Sequence, residues 1–138
     1  MNKILPTLFI VIVVALGYLA YKDYTSIKGC YVATIDKDVY TLQVVTQKGK
    51  QVDGILSFKN AGMDSSSGTF AGTYSDKILF AEYAFEAEGT KSVVNVIFKK
   101  DGDAFIRGTG EGAMTSLDQV VYDASAPRSL FKKVECGK

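Results

Sequence analysis

Histidine and tryptophan are absent from this sequence of 138 residues, which also contains only two cysteines and two prolines. Without histidine, the chain can build no Ser-His-Asp or Cys-His catalytic group, no HExxH metalloprotease motif and no zinc finger with histidine ligands. Two thiolates supply only half of a tetrahedral zinc shell. The sequence therefore predicts no catalytic residue, no metal site and no cofactor.

A charge imbalance is absent as well, because 16 lysines and arginines stand against 15 aspartates and glutamates. Binding to nucleic acid relies on a basic surface that neutralises backbone phosphates. No nucleic-acid partner is therefore predicted, and the short length predicts one domain.

One long hydrophobic run is present, and it lies near the N-terminus. Residues 4–21 contain no charged side chain, and as a helix they would extend about 27 Å, close to the thickness of the hydrocarbon core of a bilayer. Lys3 precedes the run, whereas Lys22 and Asp23 after it cancel, so the charge pattern favours export of the rest of the chain. Residues 1–23 are predicted to be a membrane anchor or signal segment, with the membrane as one partner of the protein.

Two alternatives to a retained single-pass anchor stay open. The small residues Ala15 and Gly17 are typical of the site where a signal peptidase cuts, which would give a secreted protein. Gly29 and Cys30 resemble a lipid-attachment site, although Lys28 departs from that pattern. All three interpretations place the C-terminal domain outside the cytoplasm.

After a short stalk at residues 24–28, the sequence of residues 29–138 alternates between apolar and polar positions. Tight turns that contain Gly and Asp separate the alternating runs. Alternation with period two and short turns is typical of antiparallel hairpins. Strands are predicted at residues 30–35, 39–47, 51–59, 69–74, 78–87, 92–100, 104–111 and 130–136, with a short strand at 119–122 and a polar loop at 60–68.

The predicted fold class is all-β: a single small antiparallel up-and-down β-barrel-like domain of about eight strands, which follows an N-terminal transmembrane helix. The connections are too short for crossover helices, and a sequential antiparallel sheet of this size tends to close because closure removes exposed edges. A β-sandwich is the alternative. The interior of an eight-stranded barrel is either filled by side chains or just able to hold one small ligand.

The stretch from residue 78 to 88 is rich in Ala and Glu, which favour a helix. We predict a strand instead, because Glu82 and Glu86 would repel each other one helical turn apart. As a strand it places three glutamates, Glu82, Glu86 and Glu88, on one face with Ile78 and Phe80. We interpret that face as core-facing at its apolar end and solvated at its acidic end. The alternative is an acidic mouth that attracts a cation or an amine.

Asn95 and Arg107 interrupt otherwise apolar strands. A polar group at an inward position needs a partner, so both residues, with Glu82 and Glu86, are candidate ligand-binding residues. Outward positions are the commoner place for such side chains. Eight aromatic residues are core candidates, and a barrel that they line could bind a small apolar molecule: Tyr40, Phe58, Phe70, Tyr74, Tyr83, Phe85, Phe98 and Phe105.

Cys30 opens the first predicted strand and Cys136 ends the last. In an up-and-down barrel those strands are antiparallel neighbours, so the two cysteines meet. Because an exported domain can be oxidised, we predict a disulfide between them. Two free buried thiols are the alternative.

Four stretches carry a resemblance to a group of uncharacterised small exported proteins of bacteria: residues 29–32 (GCYV), 64–70 (DSSSGTF), 83–89 (YAFEAEG) and 98–103 (FKKDGD). The resemblance implies a membrane-anchored or lipidated envelope protein with a β-rich body. It implies no activity, substrate or catalytic residue.

The leading functional hypothesis is a membrane-anchored protein of the cell envelope, outside the cytoplasm, that binds a small ligand or another envelope protein and is not an enzyme. A purely structural envelope protein is the alternative, and a hydrolytic enzyme is the third possibility.

Overall fold

A computed structural model of the chain describes residues 10–15, 26–62, 65–109 and 120–137. Residues 10–15 are helical, and the rest of the predicted membrane segment at 4–21 lies outside the described residues. Within the described ranges, no helix has both the length and the apolar character needed to cross a bilayer.

Between residues 26 and 137 the described chain is almost entirely β-structure. Its strands, in chain order, are β1 (Gly29–Ile35), β2 (Asp38–Lys48), β3 (Gln51–Lys59), β4 (Ser66–Ser75), β5 (Ile78–Ala87), β6 (Thr90–Asp101), β7 (Ala104–Thr109), β8 (Val121–Tyr122) and β9 (Leu130–Val134).

Each of the strands β1 to β7 pairs antiparallel with the next, β7 also pairs with β9, and β9 returns to β1. These pairings close the sheet, so within the described residues an eight-stranded barrel forms, and β8 is an extra strand on the last two residues of β7. The predicted barrel is therefore confirmed, and the sandwich alternative is wrong because no open sheet edges separate two layers.

The hairpin turns follow from local backbone chemistry. Asp76 and Lys77 both have positive φ, as do Glu88 and Gly89. Two successive residues with positive φ make a turn whose twist matches that of the strands it joins. These turns set the register of β4 with β5 and of β5 with β6, and they explain why the Ala- and Glu-rich stretch is a strand, as predicted.

One predicted loop is partly wrong. Residues 60–68 were expected to be a polar loop, but β4 already begins at Ser66, whose partner on β3 is Phe58. Gly68 pairs with both Leu56 and Phe85. Hydrogen bonds to a strand on each side outweigh the low strand propensity of serine and glycine.

Gly54 and Gly72 let the barrel walls bend. A Cβ atom at Gly54 would overlap the backbone carbonyl of Gln43, and one at Gly72 would overlap that of Phe80. Such close approach is typical of the sharply coiled strands of small barrels.

The barrel has two ends. We call the end where β1 begins, and where the β2–β3, β4–β5 and β6–β7 turns lie, the plugged end. We call the opposite end, which carries the β1–β2, β3–β4 and β5–β6 connections, the polar end.

Ile27 closes the plugged end. It precedes β1 and belongs to the predicted stalk at residues 24–28, yet its exposed fraction is 0%. Its backbone N–H donates to Oε1 of Gln47 at 2.9 Å, and its carbonyl accepts a bond of 2.8 Å from the Tyr31 hydroxyl. Burial of Ile27 with both backbone groups bonded makes it part of the folded unit.

Five rings, which we call the plugged-end cluster, fill the barrel above Ile27: Tyr31, Tyr74, Phe98, Phe105 and Phe131. Phe105 contacts Tyr31 edge to face at 4.8 Å between ring centroids, and Phe98 contacts Phe131 at 5.3 Å. Edge-to-face contacts of this kind add to the stabilisation from burial.

The predicted disulfide is confirmed at the same end. Cys30 lies opposite Val134 on β9, and its sulfur is bonded to that of Cys136, with 5.1 Å between the two Cα atoms. The bond joins the first strand of the barrel to the segment that follows the last.

Candidate functional site

The polar end holds a second aromatic cluster, which differs from the first because it surrounds a cation. Its members, called the polar-end cluster, are Tyr40, Phe58, Tyr83, Phe85 and Arg107. Ring centroids of Phe58 lie 5.1 Å from Tyr40 and 5.8 Å from Tyr83, and Tyr83 stacks on Phe85 at 4.9 Å. Tyr40 and Tyr83 are buried, whereas Phe58, Phe85 and Arg107 are half-buried.

Arg107 faces inward because strand residues alternate between the two faces of a sheet. It lies two positions after the buried Phe105 and directly opposite Phe98 on β6. Its side chain carries the guanidinium to a position over the Phe58 ring, with 4.7 Å between Cζ and the ring centroid. That distance is within the range of a cation–π contact.

The environment of this guanidinium is unusual for a charged group. Burial lowers the pKa of Arg107, while the nearby phenol groups of Tyr40 and Tyr83 act in the opposite direction. Burial also raises the pKa of Tyr83, although the Ser66 hydroxyl and Arg107 reduce that shift. At neutral pH the site therefore contains a cation and the neutral phenol of Tyr83.

The phenol protons of this site are already used within the protein. The Tyr40 hydroxyl donates to Oδ1 of Asn60 at 2.9 Å, and the Tyr83 hydroxyl donates to Oγ of Ser66 at 3.3 Å. Ser129 lies across from Arg107, since the backbone N–H of Arg107 donates to the backbone carbonyl of Ser129 at 2.7 Å. Ser129 is 8% exposed, and it is the one buried polar residue in the part of the chain that the structure describes.

Arg107 has an aromatic neighbour but no carboxylate partner among the residues described at 10–15, 26–62, 65–109 and 120–137. Arginines that are taken fully out of water are ordinarily paired with an anion, and Arg107 is half-buried. The site thus combines a fixed cation, several hydroxyl groups and flat apolar surfaces, which is the composition of a recognition site.

The other three predicted ligand-binding residues lie elsewhere. Glu82 and Asn95 are directly opposite each other on β5 and β6, and Glu86 is opposite Lys91. All three project from the outer wall of the barrel, where both glutamates are exposed. The structure therefore brings Glu82 and Asn95 together, with Glu86 further along the same face, and separates all three from Arg107.

The interpretation of one end of that face as core-facing is wrong. Phe80 lies on the outer wall with the glutamates, and the core is formed instead by the alternate residues Leu79, Ala81 and Tyr83. The strand carries apolar residues on both faces here, so its sequence did not reveal which set faces inward. The acidic face points away from the interior of the barrel.

The eight aromatic core candidates are all in the core or packed against it. Asn60 and Ser129 were missed by the sequence analysis, because small polar residues near strand ends have no distinctive pattern. Ser66 was noticed only as part of the DSSSGTF stretch and not as a site residue. The direction of Arg107 was available from the alternation that begins at Phe105.

Two cavities lie on the outer surface. One of about 500 Å³ lies across β2, β3 and β4 and is lined by exposed side chains such as Lys48, Gln51 and Asp53. The other, of about 440 Å³, lies over β1 and β9 beside Pro127. Within the described residues, no group of three or more Cys, Asp or Glu side chains is arranged to hold a metal ion.

In comparisons with known proteins, no family model, no curated protein and no solved structure matches this chain.

Proposed function

We propose that this chain is a membrane-anchored protein of the cell envelope whose barrel, outside the cytoplasm, binds a small ligand at its polar end without chemical conversion. The anchor is the hydrophobic run at residues 4–21. The Cys30–Cys136 disulfide supports the location, because disulfides persist in oxidising compartments and are rare in the cytosol.

The difference between the two ends of the barrel is the observation that carries the proposal. The plugged end is filled by Ile27 and buried rings, whereas the polar end has half-buried rings around a charged side chain. That side chain is Arg107. Replacing a buried charge by an apolar group is often neutral or stabilising, so stability alone does not account for a cation at this position.

Binding is favoured over catalysis by the protonation states at the site. A general base needs a pKa near the working pH. The pKa of Tyr83 is raised above its ordinary value of 10.0, so its phenol keeps its proton at neutral pH. Arginine stays protonated in proteins, so both groups can hold a ligand and neither exchanges protons readily.

A matched pair of serines tests whether the polar end is the site. Ser66 faces inward beside Phe58 and Tyr83, whereas its neighbour Ser67 is exposed on the outer wall. Full-length protein in dodecyl maltoside would be titrated with 4-fluorobenzoate, 4-fluorobenzamide and 4-fluorobenzylammonium, followed by ¹⁹F NMR. We expect at least one probe to bind, Ser66→Trp to abolish its binding by filling the site, and Ser67→Trp to leave binding unchanged.

Absence of binding by every probe, or equal binding by Ser66→Trp and the unaltered chain, would contradict the proposed site.

The location of the protein has a separate test. We expect the full-length chain to stay in the membrane pellet after an alkaline carbonate wash and to be cut by protease added outside the cytoplasm. Release into the wash or protection from the protease would contradict the proposed anchoring or topology.

A further inference from the structure

We infer that the ligand of the polar end is a small amphipathic anion, whose single negative head group pairs with the Arg107 guanidinium while its apolar body lies against the rings of the polar-end cluster. This inference rests on the proposed function and adds the chemical class of the ligand. Carboxylates, sulfonates and phosphate monoesters share the required head-group chemistry.

The first argument concerns charge. A cation removed from water loses hydration energy that a partner must restore. The Phe58 ring contacts one side of the guanidinium at 4.7 Å, and a cation–π contact restores only part of that energy. Among the described residues Arg107 has no carboxylate partner, and none of their buried side-chain nitrogens lacks a hydrogen-bond partner. The guanidinium N–H groups are therefore accessible to an incoming anion, which would restore the rest of that energy.

The second argument concerns the neighbouring hydrogen bonds. The Tyr40 and Tyr83 hydroxyls donate their protons to Asn60 and Ser66. The guanidinium, by contrast, presents planar N–H groups in a fork that matches the two oxygens of a carboxylate or phosphate. The donor set of the site is therefore suited to an anion, and no carboxylate of the described residues is paired with the guanidinium.

The third argument concerns the body of the ligand. Phe58 and Phe85 are half-buried, and Phe85 is stacked on Tyr83. Partly exposed rings around a charged group offer apolar surface that a purely inorganic anion would leave uncovered. An aromatic or short aliphatic body covers these rings and adds burial to the ion pair.

The barrel's orientation favours a soluble anion over the head group of a lipid in the anchoring membrane. The segment that leads back to the predicted anchor enters at the plugged end, through Ile27 and the start of β1. The polar end lies at the other end of these strands. Anionic lipids of the anchoring membrane would therefore face the plugged end and not Arg107.

Arg107 could instead serve only to fill space, and that role predicts a different selectivity for ligands. A long side chain can fill space with its methylene groups and keep its charge in water. A filler of that kind would show no preference among head groups, so head-group selectivity separates the two roles.

The three fluorinated probes used above have the same ring and differ in head-group charge, so they provide this test. For the full-length chain in dodecyl maltoside, we expect 4-fluorobenzoate to bind about tenfold or more tightly than 4-fluorobenzamide, which corresponds to one charge-assisted hydrogen-bonded pair. 4-Fluorobenzylammonium should bind most weakly. Vesicles of phosphatidylglycerol, added as a competitor, should leave benzoate binding unchanged.

Variants at Arg107 give the second readout. Arg107→Met should reduce the affinity for 4-fluorobenzoate about tenfold or more and change that for 4-fluorobenzamide by less than about threefold. Arg107→Lys should keep the order of the probes with a smaller difference, since an ammonium lacks the fork. Arg128→Met, at an exposed arginine, is the control and should alter neither affinity.

Equal binding of benzoate and benzamide to the unaltered chain would overturn the inference and leave the proposed site standing. That comparison needs no variant, so it holds even if Arg107→Met fails to fold. Stronger binding of the ammonium probe, or displacement of benzoate by the vesicles, would overturn it as well. Loss of all binding would instead count against the proposed function.

Discussion

The two ends of this barrel are built from the same aromatic residue types but used differently. At the plugged end, Phe98, Phe105 and Phe131 are fully buried, and Ile27 closes the space beneath them. At the polar end, Phe58 and Phe85 remain half-exposed beside a charged side chain. The first arrangement maximises burial, and the second leaves apolar surface and a charged side chain partly exposed.

This difference indicates a division of labour along the barrel axis. Buried rings and a disulfide stabilise one end, so the other end can keep residues that contribute little to stability. Functional sites commonly depart from the best packing in this way. Four predictions on stability test the division, from the largest expected effect to the smallest.

The largest effect is expected for Phe105→Ala. This ring is 0% exposed and contacts Tyr31, Tyr74 and Phe98, so its removal should lower the free energy of unfolding by about 3–5 kcal/mol. Phe85→Ala, at the polar end, is the matched control and should cost less than half as much. Urea denaturation measures both, and equal losses would show that the two ends are packed alike.

The next effect is expected for Cys30→Ser combined with Cys136→Ser. The bond closes a loop with a sequence separation of 106 residues. Its loss should lower the free energy of unfolding by about 2–4 kcal/mol, mainly by freeing the unfolded chain. Probe binding at the polar end should survive under conditions where the variant is still folded. A loss of probe affinity in the folded variant would couple the two ends and contradict their independence.

A smaller, pH-dependent effect is expected at Tyr31. Burial raises its pKa from 10.0 to about 12, with smaller contributions from Tyr74 and Asp103. The folded-state pKa lies above the unfolded value, so the unfolded chain loses the Tyr31 proton first. The stabilisation from the buried neutral phenol is therefore complete below pH 10, and it is lost as the pH rises towards 12. Tyr31→Phe should therefore lose less stability than the unaltered chain over that interval. Parallel losses in urea titrations at several pH values would contradict the assignment.

The smallest effect on stability is expected for Arg107→Met. Removing a partly desolvated cation should change the free energy of unfolding by less than about 1 kcal/mol in either direction. Arg128→Met, on the surface, should change it by less than about 0.5 kcal/mol. A loss of several kcal/mol on Arg107→Met would show that this residue is part of the structural core, which would remove the main support for a ligand site.

The fold could be predicted from local signals because hairpin turns and period-two alternation are written in neighbouring residues. Asp76 and Lys77 mark one turn, and alternating apolar and polar residues mark β2 and β3. The start of β4 could not be predicted in this way, since Ser66 to Gly68 become a strand only through pairing with β3 and β5. Ile27 was equally hidden, because its burial depends on Gln47 and Tyr31.

The candidate site was only partly predictable for a related reason. The sequence marks Arg107 as a polar residue in an apolar strand, but its neighbour Phe58 comes from a distant strand. The same rule also selected Asn95, which lies on the outer wall. Polarity within a strand identifies candidates, and only the closure of the barrel decides which of them face inward.

The central claim is that the polar end, and no other part of the barrel, receives the ligand. Chemical-shift mapping of ¹⁵N-labelled full-length protein during titration with 4-fluorobenzoate tests it most directly. We predict that the perturbed amides cluster at Asn60, Ser66, Tyr83, Arg107 and Ser129, while those around Ile27 and Gly102 stay unchanged. Perturbations centred on the outer wall at Glu82 and Asn95, or at the plugged end, would contradict the claim.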